Sequence, residues 1–168
     1  MTRFRKVLWA AGGVVVIAAA VSGSFILVAN QNQTHAAESM TNKASQVMPF
    51  DLTRTTHRFD KSSNGGVEKV VVNDPADSAN EELIRSHLSK EAALFRAGDY
   101  SDPTMIHGMD MPGVKELSAG AARVSVDFTE VDGGAQITYS STDPTLVSAI
   151  HAWFDRQVAD HGMPGMGG

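Results

Sequence analysis

Two stretches of this chain follow one plan, and any fold must satisfy both. In each, two strand-like runs joined by a glycine-bearing turn lead to Asp-Pro and then to an amphipathic helix. Thr55 to Lys61 and Val67 to Asn73 flank Ser62-Ser63-Asn64-Gly65-Gly66, where the Asn-Gly step signals a hairpin. Arg123-Val124-Ser125-Val126-Asp127-Phe128 alternates apolar with polar, Asp132-Gly133-Gly134 turns the chain, and Ala135-Gln136-Ile137-Thr138-Tyr139 alternates back. Asp74-Pro75 and Asp143-Pro144 each set a capping carboxylate before a proline suited to the first helical position. Ser78-Ala79-Asn80-Glu81 also fits a capping box, which gives the first helix a second possible start one turn later.

Ile84, Leu88 and Phe95, with Leu83 and Ala92 beside them, mark the buried stripe of the first helix, and Gly98 ends it. Leu146, Ile150, Phe154 and Val158 mark that of the second, which Gly162 ends. The expected fold is α+β: a four-stranded antiparallel sheet with two helices on one face, a ββαββα pseudo-repeat spanning residues 50–161. The connection from Ala97 to Gly120 is long for a compact domain, and a short helix from Gly113 to Ser118 is expected within it.

Ahead of this domain the chain opens with Arg3, Arg5 and Lys6 and then runs uncharged from Val7 to Ala29, 23 residues. As a helix that run reaches roughly 34 Å, enough to cross a bilayer. Residues 1–29 therefore read as a signal-anchor, a single transmembrane helix through residues 7–29. The basic residues before the span keep the N-terminus inside and place the C-terminal domain outside the cytoplasm. Cleavage near Ala36, giving a secreted or periplasmic protein, is the alternative. Residues 30–49 are polar and aperiodic, a flexible linker in which His35, Met40 and Met48 are incidental, and residues 162–168 form a Gly/Met-rich tail.

Charge and composition narrow the function. Residues 30–168 carry 11 Lys+Arg (14 less the three at the start) against 19 Asp+Glu, with no basic stripe, so no nucleic acid is expected as a partner. The chain has no cysteine, which leaves histidine, methionine and carboxylate as metal ligands.

Within the long connection, Ile106-His107-Gly108-Met109-Asp110-Met111-Pro112-Gly113 sets an imidazole and two thioethers at alternate positions. Soft sulfur with imidazole favours Cu(I). The C-terminus repeats the chemistry in His161-Gly162-Met163-Pro164-Gly165-Met166. Five of the eight methionines, Met105 among them, fall in or beside these two stretches, and that clustering points to His107, Met109 and Met111 as a copper site, with His161, Met163 and Met166 as a second. The competing explanation is that the loop methionines fill gaps in the core.

His57, His87 and His151 make a second constellation. His57 shares a strand face with Phe59, and His87 and His151 border the buried stripes of the two helices. Together they could hold a metal, provide axial ligands to haem, or act in an enzyme with a carboxylate; individually hydrogen-bonded core histidines are the competing reading. Glu91, Asp127, Asp155 and Asp160 are expected on solvated faces. Trp153 is expected at the edge of the helix–sheet interface with its indole reaching water. Nucleophile-elbow, phosphate-loop, His-Glu-x-x-His and calcium-loop motifs are absent.

The runs Met48-Pro49-Phe50-Asp51-Leu52-Thr53-Arg54-Thr55-Thr56-His57-Arg58-Phe59, Ile106-His107-Gly108 with Met111-Pro112-Gly113, and His151-Ala152-Trp153-Phe154-Asp155 resemble a family of small exported bacterial proteins often called aspartate carbamoyltransferase. The resemblance covers nearly all of residues 48–162 and implies an exported domain without a defined activity. Thr53-Arg54-Thr55 is similar to part of the carbamoyl-phosphate loop of true transcarbamoylases, with Leu52 in place of its leading serine, and their His-Pro-x-Gln motif is missing. The reading that follows is a membrane-anchored extracytoplasmic protein that binds copper through His and Met. A metal-free envelope module that holds a protein partner is the alternative, with haem binding or enzymatic activity behind it.

Overall fold

The computed structural model describes residues 42–160 and the helical backbone of His161. The expected span 7–29, the linker up to residue 41, the His161 side chain, and the tail with Met163 and Met166 lie outside the described residues. Among the described residues no helix is long and apolar enough to cross a membrane.

The described chain is an α+β domain. Strands β1 (Thr55–Ser62), β2 (Gly65–Val72), β3 (Ser125–Val131) and β4 (Gly134–Ser140) form one antiparallel sheet in the order β1-β2-β4-β3. Its helices are α1 (Ser78–Arg96), α2 (Ser101–His107), α3 (Val114–Ala119) and α4 (Pro144–His161). Both hairpins close with two-residue turns, Ser63-Asn64 and Asp132-Gly133. Gly65, expected in the first turn, instead opens β2 and pairs with Ser62 and Ser140.

Period-two alternation gives the sheet one buried face, on which Val70, Val72, Val126, Ala135, Ile137 and Tyr139 are all buried. Both long helices cover that face, each over the hairpin of the other unit: α1 packs chiefly on β3 and β4, and α4 on β1 and β2. The exchange is fixed by one kind of clamp used twice. Arg85 donates to the carbonyls of Val131 (3.1 Å) and Gly134 (3.2 Å) at the β3–β4 turn. His151 Nε2 lies 2.9 Å from the carbonyls of Ser62 and Gly65 at the β1–β2 turn. Arg85 and His151 each stand seven residues after the first residue of their helices, Ser78 and Pro144.

Helix α1 takes the later of its two possible starts. Asp77 is its N-cap and accepts from the Asn80 backbone, while Asp74 shapes the preceding turn by accepting from the Ala76 backbone. Asp143 caps α4 as expected, accepting from the Thr145 backbone at 2.9 Å. The buried stripe of α1 is Ile84, Leu88, Ala92 and Phe95, joined by Glu91; Leu83 is 39% exposed and stands off it. In α4, Leu146, Ile150 and Phe154 are buried as expected, with Ala149 and Trp153 beside them, while Val158 is half-buried.

The domain also begins earlier than Phe50. Residues 42–47 are helical, Ala44 is buried, and Met48 packs against the core, so the end of the expected linker is structured.

Candidate functional site

The long connection folds into two short helices. Asp102-Pro103 is a third Asp-Pro step, and here too a helix forms around it, although the backbone turn into α2 is supported by Asp99, which accepts from the Ser101 backbone at 2.9 Å. With α2 formed, Asp102 and His107 face inward. They close a cavity of about 40 Å³ between the β1–β2 side of the sheet and the two long helices. Its polar lining is His57 from β1, Glu68 from β2, His87 and Glu91 from α1, Asp102 and His107 from α2, and Trp153 and Gln157 from α4. Val47, Met48 and Phe50 form one wall, and the Phe50 ring lies 5.7 Å from each of the His57 and His87 rings.

The two long helices contribute equivalent positions. His87 and Trp153 each stand nine residues after the first of their helix, and Glu91 and Gln157 thirteen. One wall carries the ionisable pair and the other the neutral pair.

Burial governs the charges here. Loss of hydration, reinforced by Lys90, lowers the His87 imidazole to about 4, so it is neutral at physiological pH. The Glu68 carboxyl is raised to about 7 by burial, against the pull of the Tyr139 hydroxyl, which donates to it at 2.9 Å. Glu91 is raised to about 8, first by burial and then by its hydrogen bond to Asp102. That hydrogen bond, with Lys90 Nζ at 3.1 Å, lowers the Asp102 carboxyl against the effect of its own burial. The pair thus shares one proton, held by Glu91 while Asp102 carries the charge. His107 is lowered chiefly by burial. The Asp160 carboxylate, 2.8 Å from Nδ1, and Gln157 oppose that shift.

Several expected positions are revised. Glu91 is 5% exposed, not on a solvated face, and Asp160 holds His107 and Arg156. Trp153 is 1% exposed and its indole is away from water, packed against Phe95, Tyr100, Tyr139 and Phe154. Asp127 and Asp155 are exposed as expected. Of the second constellation, His57 and His87 meet in the cavity while His151 clamps the hairpin turn, and His107 takes the third place.

The loop triad separates. Gly108, at φ 97°, ends α2 and turns the chain, so His107 faces the cavity, Met109 is 84% exposed and Met111 is buried in the core. Among the described residues no three His, Asp or Glu side chains stand close enough to hold a metal ion together.

The fold and the site define an α+β domain built around a small polar cavity lined by three histidines and three carboxyl groups. No protein-family model, curated protein or solved structure matches the chain.

Proposed function

We propose that this domain is an extracytoplasmic ligand-binding module, held at the membrane by residues 7–29, whose site is the cavity between α1, α2, α4 and the sheet. One observation carries the reading: six titratable side chains from four elements line a single cavity in an otherwise apolar core. Burying such groups opposes folding, and perturbed carboxyls and imidazoles gathered in one cavity are a mark of functional sites. The resemblance of the flanking runs to small exported proteins supports the location.

The test is a thermal-unfolding screen of the full chain against small polar molecules and metal ions, beside the variant Glu91→Leu. A ligand at a hundred times its Kd stabilises the folded state by about 2.7 kcal/mol. A stabiliser of the parent that leaves the variant unmoved supports the reading; a parent and variant that respond alike to every compound and ion refute it.

Copper handling is the second reading. Met105 and Met109, 55% and 84% exposed, support it, because thioethers on one short segment are open to a soft ion from outside. Competition with a chromogenic Cu(I) chelator tests it. Affinity that falls in a Met105→Leu/Met109→Leu variant supports it, and unchanged affinity refutes it.

A further inference from the structure

Two side chains that line the cavity each carry a polar atom that the fold leaves without a hydrogen-bond partner. Trp153 Nε1 and Glu91 Oε1 are both buried without a hydrogen-bond partner, Lys90 Nζ standing 3.9 Å from the Glu91 oxygen, beyond hydrogen-bond reach, and both residues line the cavity. Buried polar atoms are nearly always paired, so each marks a place where something else is meant to bond. Their chemistry is complementary. The indole N–H can only donate and needs an acceptor; the second Glu91 oxygen, on a carboxyl that is protonated and already bonded to Asp102, can only accept and needs a donor.

We infer that the ligand of this cavity is an uncharged molecule, or the uncharged end of one, that presents one hydrogen-bond acceptor to Trp153 and one donor to Glu91: an amide, a urea-like group or a hydroxyl. This rests on the proposed function and names the ligand class of the same site. The charges around the cavity disfavour the other classes. An anion would meet the Asp102 carboxylate, and Lys90, the cation beside it, is already bonded to Asp102. A cation would find Asp102 neutralised by Lys90 and Glu68 pushed toward its protonated form by burial, and would leave the indole N–H unbonded. Moving an uncompensated charge into such a site is unfavourable, whereas a neutral group with two complementary bonds avoids that cost. The volume, about 40 Å³, holds roughly three waters, which suits a group of about two to four heavy atoms.

Nuclear magnetic resonance of the full chain in mild detergent tests this directly. A Trp9→Phe background leaves Trp153 as the sole indole, since the chain has two tryptophans. Acetamide and urea serve as neutral donor–acceptor probes, formate as the anion and methylammonium as the cation. The inference expects acetamide or urea to shift the Trp153 indole resonance saturably, at least tenfold more tightly than formate or methylammonium, and to bind at least tenfold more weakly to Glu91→Leu. Formate or methylammonium binding as tightly as the neutral probes overturns the ligand class while keeping the cavity as the site. If no probe or ion moves the indole resonance, both the ligand class and the proposed site are refuted.

Discussion

Replacing Glu91 by glutamine tests the electrostatics of the cavity without changing its shape. Burial first, and then the hydrogen bond to Asp102, raises the Glu91 carboxyl from 4.5 to about 8. Between these values the unfolded chain ionises while the folded chain holds its proton, so the contribution is whole below pH 4.5 and is lost as pH climbs to about 8. At about 1.4 kcal/mol per pH unit, crossing that window removes about 5 kcal/mol, a large part of a typical domain's stability. The neighbours do not hide the effect. Asp102, held below its ordinary value, is ionised in both states across the window and adds no slope. Glu68, raised to about 7, and His87, lowered to about 4, tilt stability in opposite directions from pH 4.5 to 6.5 and cancel there. Glutamine keeps an N–H for Asp102 and a carbonyl for the cavity but cannot ionise. Guanidinium chloride unfolding of the full chain in mild detergent, followed by Trp153 fluorescence in the Trp9→Phe background, should show the parent losing about 4 kcal/mol more than Glu91→Gln between pH 5 and pH 8. Parallel curves for the two proteins would refute the assignment of a protonated Glu91.

Ile150→Ala, at a fully buried position, should cost about 2–5 kcal/mol in denaturant unfolding, while Leu83→Ala, 39% exposed, should change stability by less than about 1 kcal/mol; equal costs would contradict the helix phase described above. Gly113→Ala should lose more than about 1 kcal/mol by thermal melting, because Gly113 has φ 81° and an added Cβ would land on the Ala149 carbonyl of α4; an unchanged melting temperature would show that α3 does not sit against α4. Asp160→Asn should move the His107 titration, followed by imidazole resonances, to lower pH, since the carboxylate is what opposes the effect of burial there; a move to higher pH would contradict that pairing.

Much of the fold is legible in residue spacing. Residue type and spacing disagree at two positions of α1. Leu83 is apolar and Glu91 acidic, which suggests a buried and a solvated place, yet the helical period puts 84, 88, 91 and 95 on one side, and that is the side buried. Glu68 carries the same signal in a strand, since it alternates in phase with Gly66, Val70 and Val72, the inward residues of β2. An acid in phase with a core is the mark by which this site could have been found.

The remainder depends on long-range packing that spacing does not encode. That His107 would join His57 and His87, and that His151 would leave them for a turn, follows from each helix crossing to the other unit's hairpin. The His57 and Glu68 wall belongs to the first hairpin, α1 is clamped by Arg85 to the second, and α4 is clamped by His151 to the first. No single unit can form the cavity, so it exists only when both units have folded and exchanged helices. Arg85→Ala, which removes the bonds to the Val131 and Gly134 carbonyls, should therefore move the imidazole resonances of His87, a helical position that does not touch that turn; unmoved resonances would refute the coupling.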